Sequence, residues 1–156
     1  MKITTAILEA QPFLKGMTER QLQLLAEESM LAEFKADERI IYEGGPANRF
    51  YIILEGRVGL ESPVLDDEAV PLQILGKGDV LGWSWLFPPY RWHFDARAVT
   101  PTKAIFFYGT RLRELCEKNH DLGYELMKRV SEIVIQRLQA ARSESVGERK
   151  NLLLPM

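Results

Sequence analysis

The sequence predicts a mainly β domain with flanking helices: an antiparallel β-roll of the double-stranded jelly-roll type, an N-terminal helix, and C-terminal helices of which the last is long and amphipathic. Between residues 30 and 107, short runs rich in Val, Ile, Tyr and Phe alternate with turn signals such as EGGPANR and GKGD. Apolar residues at helical spacing flank this region on both sides. The 156 residues have room for one domain, divided into an N-terminal helical segment (12–30), the roll (31–110), C-terminal helices (111–142) and a tail (143–156).

The N-terminal helix has a recognisable beginning in GMTERQLQLLAEES. Thr18 is placed to cap the helix, and Gln21, three residues later, completes a capping box. Leu22, Leu25 and Ala26 then form one apolar stripe. The sequence therefore predicts a helix that packs on the roll.

The strongest strand signal in the roll is FYIILEGRVGLES, where EG is predicted to turn FYIIL into RVGLES as a hairpin. LDDEAV is predicted to turn the chain again before PLQIL, which extends the hairpin to a three-stranded meander. Tight turns in a compact roll need positive φ, which glycine reaches without steric cost. The glycines at such predicted turns are Gly44, Gly45, Gly56, Gly76, Gly78 and Gly82.

Two helical segments follow Arg111: a short one, RLRELCEKN, and a long one, HDLGYELMKRVSEIVIQRLQAARSES. Apolar residues recur along the long segment at three- and four-residue steps, at Leu126, Met127, Val130, Ile133, Val134, Leu138 and Ala141. Such a stripe either docks on the chain's own domain or pairs in parallel with a second copy across a two-fold axis. We favour a homodimer, with an interface formed by Met127, Val130, Val134, Leu138 and Ala141.

Composition excludes several classes of protein. The formal net charge of −2 favours neither nucleic acid nor an anionic membrane as a partner. A single cysteine permits no intrachain disulfide and no four-cysteine metal site. No apolar run reaches the length of about 18 residues that a membrane span needs. We expect a cytoplasmic protein that does not enter a membrane.

Catalytic patterns are absent from the sequence. It contains no GxSxG, GxxxxGK or HExxH motif. Cys116 is flanked by Glu114 and Glu117, which would raise the pKa of the thiol. The two histidines, His93 and His120, are far apart in sequence, so we expect no protein-built metal site. The chain is therefore interpreted as a protein that is not an enzyme.

Three stretches together resemble the cyclic nucleotide-binding domain of catabolite activator-type regulators, ion channels and kinase regulatory subunits. They are PFLKGMTERQLQLLAEES, YEGGPANRFYIILEGRVGL and LGKGDVLG. The resemblance covers Pro12 to about Leu138 and implies a regulatory domain that binds a cyclic nucleotide. In bacterial relatives a helix-turn-helix unit after the long helix binds DNA. Too few residues follow Arg142 for such a unit, so we expect no nucleic acid binding by this chain alone.

The phosphate-binding cassette departs from the family's pattern. As the resemblance implies, the cassette begins Gly-Glu, with the Glu on the ribose, and ends with Arg and a small residue, with the Arg on the cyclic phosphate. Here Gly82 is followed by Trp83, and Arg91 is followed by Trp92. The segment is instead rich in aromatic residues, at Trp83, Trp85, Phe87, Tyr90, Trp92 and Phe94.

Three interpretations of this cassette remain open. The rings are core that fills the ancestral site, or they line a pocket for a flatter or more apolar ligand, or cyclic nucleotide binding persists through unusual contacts. In the second case the indole N–H groups, Ser84, His93 and Arg91 are the polar contacts. The candidate ligand-binding residues are Gly82, Trp83, Ser84, Trp85, Arg91, Trp92 and His93, with Ser131 on the long helix, where relatives close over a base.

These observations predict a stand-alone regulatory or sensor module that signals through a dimer of its C-terminal helix. Its effector is a cyclic nucleotide or another small anionic or aromatic ligand, and a protein partner is a further candidate; we expect no other cofactor. One alternative is a ligand-free dimerisation or scaffold domain with an aromatic-filled cassette. Another is the regulatory half of a truncated transcription factor.

Overall fold

A computed structural model describes residues 2–61 and 73–148 of the chain. Four α-helices flank the strands: α1 (Thr5–Glu9), α2 (Glu19–Glu28), α3 (Gly109–Lys118) and α4 (His120–Glu148). The eight strands are β1 (Ser29–Phe34), β2 (Arg39–Ile41), β3 (Arg49–Glu55), β4 (Val58–Glu61), β5 (Gln73–Leu75), β6 (Val80–Leu81), β7 (Asp95–Ala98) and β8 (Thr102–Tyr108). Two short 3-10 helices span Pro12–Leu14 and Trp83–Leu86, and we call the second the cassette helix.

The strands form two four-stranded antiparallel sheets. The first has the order β1-β8-β3-β6 and the second the order β2-β7-β4-β5. Every pairing in both sheets is antiparallel. The predicted antiparallel roll with helices at both ends is therefore confirmed.

The predicted hairpin between FYIIL and RVGLES is wrong. Strand β3 pairs with β6 and β8, whereas β4 pairs with β5 and β7, so the two strands lie in different sheets. The EG turn, with Gly56 at φ +99°, carries the chain from one sheet to the other. The second predicted pairing, β4 with β5, is present, with Val58 opposite Leu75. The LDDEAV turn itself lies outside the described residues.

The helix ends follow the local sequence. Gln21 N donates to Thr18 Oγ1 at 3.1 Å and Thr18 N donates to Gln21 Oε1 at 3.0 Å, so the predicted capping box is confirmed. Helix α1 was not predicted; it is capped by Thr4, whose Oγ1 accepts from Ile7 N at 3.2 Å. Helix α4 continues past residue 142 to Glu148, and the rest of the predicted tail, 149–156, lies outside the described residues.

The first sheet separates two apolar clusters, because alternate residues of β3 point to opposite faces. Phe50 and Ile52 face the helices, together with Leu8, Leu22 and Val130. The neighbouring positions on β3 face the space between the sheets, with a cluster that includes Tyr51, Ile53, Val58, Trp92, Phe94 and Phe106. Burial on both faces explains why this strand is almost continuously apolar.

The apolar stripe of α4 divides into two faces. Val130, placed above in a dimer interface, is 1% exposed and packs in the chain's own core. Val134 is half-buried. Met127 and Leu138 remain exposed at 43% and 44%, and two further large side chains, Tyr124 and Ile135, are exposed as well. Of the predicted interface, Met127 and Leu138 are therefore free for a partner and Val130 is not. The side chain of Ala141 lies outside the described residues.

Candidate functional site

The cassette runs from the end of β6 to the beginning of β7. Gly82 adopts φ +88°, which turns the chain from β6 into the cassette helix. Helix α3 holds this segment at two points: Arg113 donates to the carbonyl of Trp85 and lies over the Tyr90 ring, with Cζ 4.2 Å from the ring centroid. The cassette is thus fixed to α3 as well as to the first sheet.

The space inside the roll at the beginning of the cassette is filled by Trp92. A Cβ built on Gly82 would lie 2.6 and 2.8 Å from two atoms of the Trp92 indole, so the ring packs directly against the glycine backbone. Trp92 is 6% exposed, and Phe94 packs beside it with ring centroids 6.4 Å apart. Burying an aromatic side chain stabilises a fold by about 4–6 kcal/mol. A ligand that displaced Trp92 would lose that contribution, so this side of the cassette behaves as core.

Trp85 also belongs to the core rather than to a binding surface. It is fully buried, with its ring 5.6 Å from that of Phe50. Its indole N–H finds no hydrogen-bond partner among the described residues. Gly109 at the beginning of α3 leaves room for it, since a Cβ there would lie 2.8 Å from the Cβ of Trp85.

A pocket lies on the outer side of the cassette helix, between it and α4. Its volume is about 380 Å³. The walls are mostly apolar, with three polar residues among them, and consist of Trp83, Ser84, Phe87, Pro88, His93, Val130, Ser131, Val134 and Ile135. We call it the helix pocket. Four residues singled out from the sequence, Trp83, Ser84, His93 and Ser131, meet here.

The structure does not bring the other predicted ligand contacts to this pocket. Arg91 is exposed, and its Nη1 donates to the carbonyl of Gly44 at 3.2 Å. Its backbone forms an isolated bridge with Pro46, which holds this part of the chain against the loop before β3. Arg91 therefore does not serve the helix pocket as an anion partner. Among its described lining residues the pocket has no Lys or Arg.

Arg137 is a residue of this site that sequence reasoning missed. Its guanidinium lies over the Trp83 ring, with Cζ 4.6 Å from the centroid, and Nη2 donates to the carbonyl of Val80 at 2.7 Å. Burial lowers the pKa of Arg137 to about 10, and nearby Asp79 opposes that shift. The sequence does contain a signal for this residue. Arg137 follows Val130 and Val134 at helical spacing, so its charged side chain lies on the face of α4 that packs on the domain.

A larger groove of about 950 Å³ lies on the other side of Arg137, bounded by the first 3-10 helix, β5, β6 and α4. No residue of the cassette lines it. Charges of both signs line it, at Lys15, Asp79, Glu125, Lys128, Arg129, Glu132 and Arg137. Several of these are already paired, since Glu125 binds both Lys128 and Arg129. The groove's mixed charges do not favour a ligand of one sign.

Within residues 2–61 and 73–148, no group of three or more His, Cys, Asp or Glu side chains is placed to hold a metal ion. None of the helices in these ranges combines the length and the apolar character that a membrane crossing requires.

Solved structures and curated proteins resemble this chain. A Geobacter metallireducens protein that is described by assignment as cyclic nucleotide-binding is 32% identical, with a TM-score of 0.78, over 87% of this chain and 98% of that one. The regulatory subunit of a cAMP-independent protein kinase A from Trypanosoma cruzi, bound to guanosine, is 28% identical, with a TM-score of 0.63, over 72% of this chain and 39% of that one.

A CRP-like cAMP-activated global transcriptional regulator of Mycobacterium tuberculosis is 23% identical over 122 residues, which are 78% of this chain and 54% of the relative. The chain therefore spans about half the length of the curated relatives it matches. The family model described as the cyclic nucleotide-binding domain matches residues 31–119, from β1 through α3. That match covers more than half of the sequence, and with the Geobacter protein it shows that the chain belongs to the cyclic nucleotide-binding domain family.

Proposed function

We propose that this chain is a regulatory module in which a small molecule in the helix pocket changes how α4 packs on the roll. The module works as a cytoplasmic homodimer joined through α4 and has no catalytic activity of its own. The raised pKa of Cys116, about 11, supports a non-catalytic role because the thiol stays protonated at neutral pH.

The observation that carries the proposal is that the helix pocket is shared by two elements. Trp83 and Ser84 come from the cassette helix, whereas Val130 and Val134 come from α4. A ligand between them contacts both elements at once. The ligand therefore stabilises the arrangement of α4 in which it makes the more favourable contacts, and the population shifts toward that arrangement.

One face of α4, mostly exposed, supports the dimer. Tyr124, Met127, Ser131, Val134 and Leu138 succeed one another at alternating steps of three and four residues. That spacing is the seam of a parallel coiled coil. Ser131 and Val134 also line the helix pocket. Ligand binding and dimerisation thus share residues, so each is expected to change the equilibrium constant of the other.

The relatives are consistent with regulation by a ligand that need not carry a phosphate. The Trypanosoma cruzi subunit is described as cAMP-independent and bound to guanosine, a nucleoside. The Mycobacterium tuberculosis regulator is described as cAMP-activated. A pocket without Lys or Arg among its described residues resembles the first situation more than the second.

The dimer is tested by sedimentation equilibrium of the wild type, Leu138→Glu and Gln139→Glu. Leu138 is an exposed apolar residue of the seam, and Gln139 is its exposed neighbour outside the seam. We expect a wild-type dimer, a Leu138→Glu monomer and an unchanged Gln139→Glu dimer. A wild-type monomer at high concentration would contradict the proposal.

Coupling is tested with His93→Trp, which adds volume to the pocket from the roll side without altering α4. His93 is exposed at the pocket rim, so the substitution is compatible with folding. Because allosteric couplings commonly amount to about fivefold or more, we expect the dimer dissociation constant to change by at least that factor. An unchanged constant in a folded variant would contradict the regulatory mechanism.

The second candidate, a ligand-free dimerisation domain, is favoured by one observation. Trp92 and Phe94 fill the interior of the roll at the cassette, as they would in a domain that has lost its ligand. Sedimentation distinguishes the two: a dimer that is insensitive to His93→Trp but lost in Leu138→Glu supports the scaffold.

A further inference from the structure

We infer that the helix pocket takes an uncharged, mainly apolar molecule, which binds outside the roll rather than a cyclic nucleotide within it. The inference rests on the proposed function, in that it names the class of ligand for the same pocket. It is carried by the closed interior, by the charges near the pocket and by the chemistry of the pocket wall.

The interior is closed to a nucleotide by packing. The Trp92 ring lies against the backbone of Gly82, where the family resemblance places the beginning of the phosphate cassette. Trp92 belongs to the cluster between the sheets, with Tyr51, Leu81 and Phe94. Interiors are packed at the density of organic crystals, so a ring in this position leaves no room for a second group.

Charge argues against an anion on the outer side. Three guanidinium groups lie in or against the cassette, and none of them lines the helix pocket. Arg91 donates to Gly44, and Arg113 donates to Trp85. Arg137 lies over Trp83 and donates through Nη2 to Val80, whereas its Nη1 is buried without a partner among the described residues. Arg137 contributes to the larger groove and is not among the residues that line the helix pocket. An anion moved from water to an apolar wall needs a charged partner, and the described lining offers no Lys or Arg.

The residues that line the helix pocket suit a mainly apolar ligand that carries one polar group. Aromatic and aliphatic surface comes from both sides, from Trp83, Phe87, Pro88, Val130, Val134 and Ile135. Ser84 and His93 supply hydrogen-bonding groups on the roll side. On α4, Ser131 Oγ already donates to the carbonyl of Met127 at 2.8 Å, so its remaining role is to accept. A hydroxyl or N–H group on the ligand meets these requirements.

The volume limits the size of the ligand. At about 380 Å³ the pocket is near the lower end of the range of about 300–1,000 Å³ that small-molecule sites span. A two-ring aromatic molecule with one hydroxyl is a small ligand of the required polarity. We therefore choose 1-naphthol as the probe and 1-naphthoate as its charged counterpart.

The experiment is a titration of the full chain with 1-naphthol, 1-naphthoate, cyclic AMP and guanosine, followed by NMR of the three indole N–H signals. We expect 1-naphthol to shift the signal of Trp83 with a dissociation constant near or below about 100 μM, as its size allows. The carboxylate should bind at least tenfold more weakly. His93→Trp should abolish binding of 1-naphthol, whereas Arg91→Ala should leave it unchanged.

If His93→Trp does not fold, the indole N–H signals of the wild type still locate the ligand. Binding in the helix pocket should shift the Trp83 signal, whereas binding inside the roll should shift the Trp92 signal first. Binding of cyclic AMP or guanosine without binding of 1-naphthol would contradict the inference that the ligand is uncharged and mainly apolar. It would not contradict the proposed regulatory function. Equal affinity for 1-naphthol and 1-naphthoate would also overturn the inference. Binding of none of the four would overturn it too, whereas sedimentation of His93→Trp decides the regulatory function independently.

Discussion

The guanidinium of Arg137 lies over the indole of Trp83, with Cζ 4.6 Å from the ring centroid. The same side chain donates from Nη2 to the carbonyl of Val80, while Nη1 is buried without a partner among the described residues. Arg137 therefore joins α4 to the first residue of β6 and to the wall of the helix pocket. Burial lowers its pKa to about 10, so the folded state carries a desolvation cost for this charge at neutral pH.

We predict that Arg137→Ala destabilises the fold by about 2 kcal/mol, since it removes both the packing on Trp83 and the hydrogen bond to Val80. Arg137→Met should cost less than about 1 kcal/mol, because it keeps apolar packing and removes a buried charge. Urea unfolding measures both values. Arg142→Met, at an exposed position on the same helix, is the control and should stay within about 0.5 kcal/mol of the wild type. Equal losses for Ala and Met would show that the charge, and not the packing, stabilises this contact.

A second prediction concerns pH. Arg129 donates to the Glu125 carboxylate and lowers its pKa below the ordinary value of 4.5, with a smaller contribution from Lys128. Because the folded-state pKa is lowered, the stability from this carboxylate is present above pH 4.5 and is lost as the pH falls through the folded value. Glu125→Gln should therefore be less stable than the wild type at pH 7, and the difference should shrink below pH 4.5.

Urea unfolding at a series of pH values checks this. Glu132→Gln removes an exposed carboxylate from the same helix and is the matched control. Its difference from the wild type should not vary with pH in the same way. A Glu125→Gln difference that grew as the pH fell would reverse the sign of the argument.

The thiol of Cys116 is predicted to react slowly. Burial, with a smaller contribution from Glu117, raises its pKa from 9.0 to about 11. A pKa higher by two units leaves about a hundredfold less thiolate at pH 8. Alkylation by iodoacetamide should accordingly be about a hundredfold slower in the folded chain than in the urea-unfolded chain. Equal rates in the two states would mean that the thiol is neither shielded nor shifted.

The parts of the fold that depend on local chemistry were predictable from the sequence. Thr18 and Gln21 form the capping box that their spacing indicates, and Gly82 adopts the positive φ expected of a tight turn. Strand partners were not predictable in the same way, since β3 and β4 adjoin in sequence and lie in different sheets. Alternation of apolar residues indicates that a strand is buried, but it does not tell which strand lies beside it.

In the cassette, the sequence likewise did not show which side chains lie together. Trp83 and Trp92 were assigned to one site, whereas Trp83 packs with the helices and Trp92 packs between the sheets. The segment has no period from which directions can be derived, because Gly82 and Tyr90 both have positive φ and reverse the course of the chain. Residue types in such a segment indicate which chemistry is available, and only the backbone decides which side chains meet.

The last prediction tests the contact that closes the roll. Gly82→Ala should destabilise the fold by about 3 kcal/mol, of which about 1 kcal/mol comes from positive φ and the rest from the new Cβ meeting the Trp92 ring. Gly44→Ala measures the contribution of positive φ alone, since Gly44 has φ +82° and no neighbour within 4 Å of a new Cβ. This substitution should cost only about 1 kcal/mol. In a Trp92→Leu background the cost of Gly82→Ala should fall to near that of Gly44→Ala. The Arg49 carbonyl, 3.3 Å from the new Cβ, is then the one close neighbour left among those that the described residues place there. A double-mutant cycle measured by urea unfolding would record a coupling of about 2 kcal/mol. If the two substitutions were additive, Trp92 would not occupy the beginning of the cassette, and the interior of the roll would again be open to a ligand.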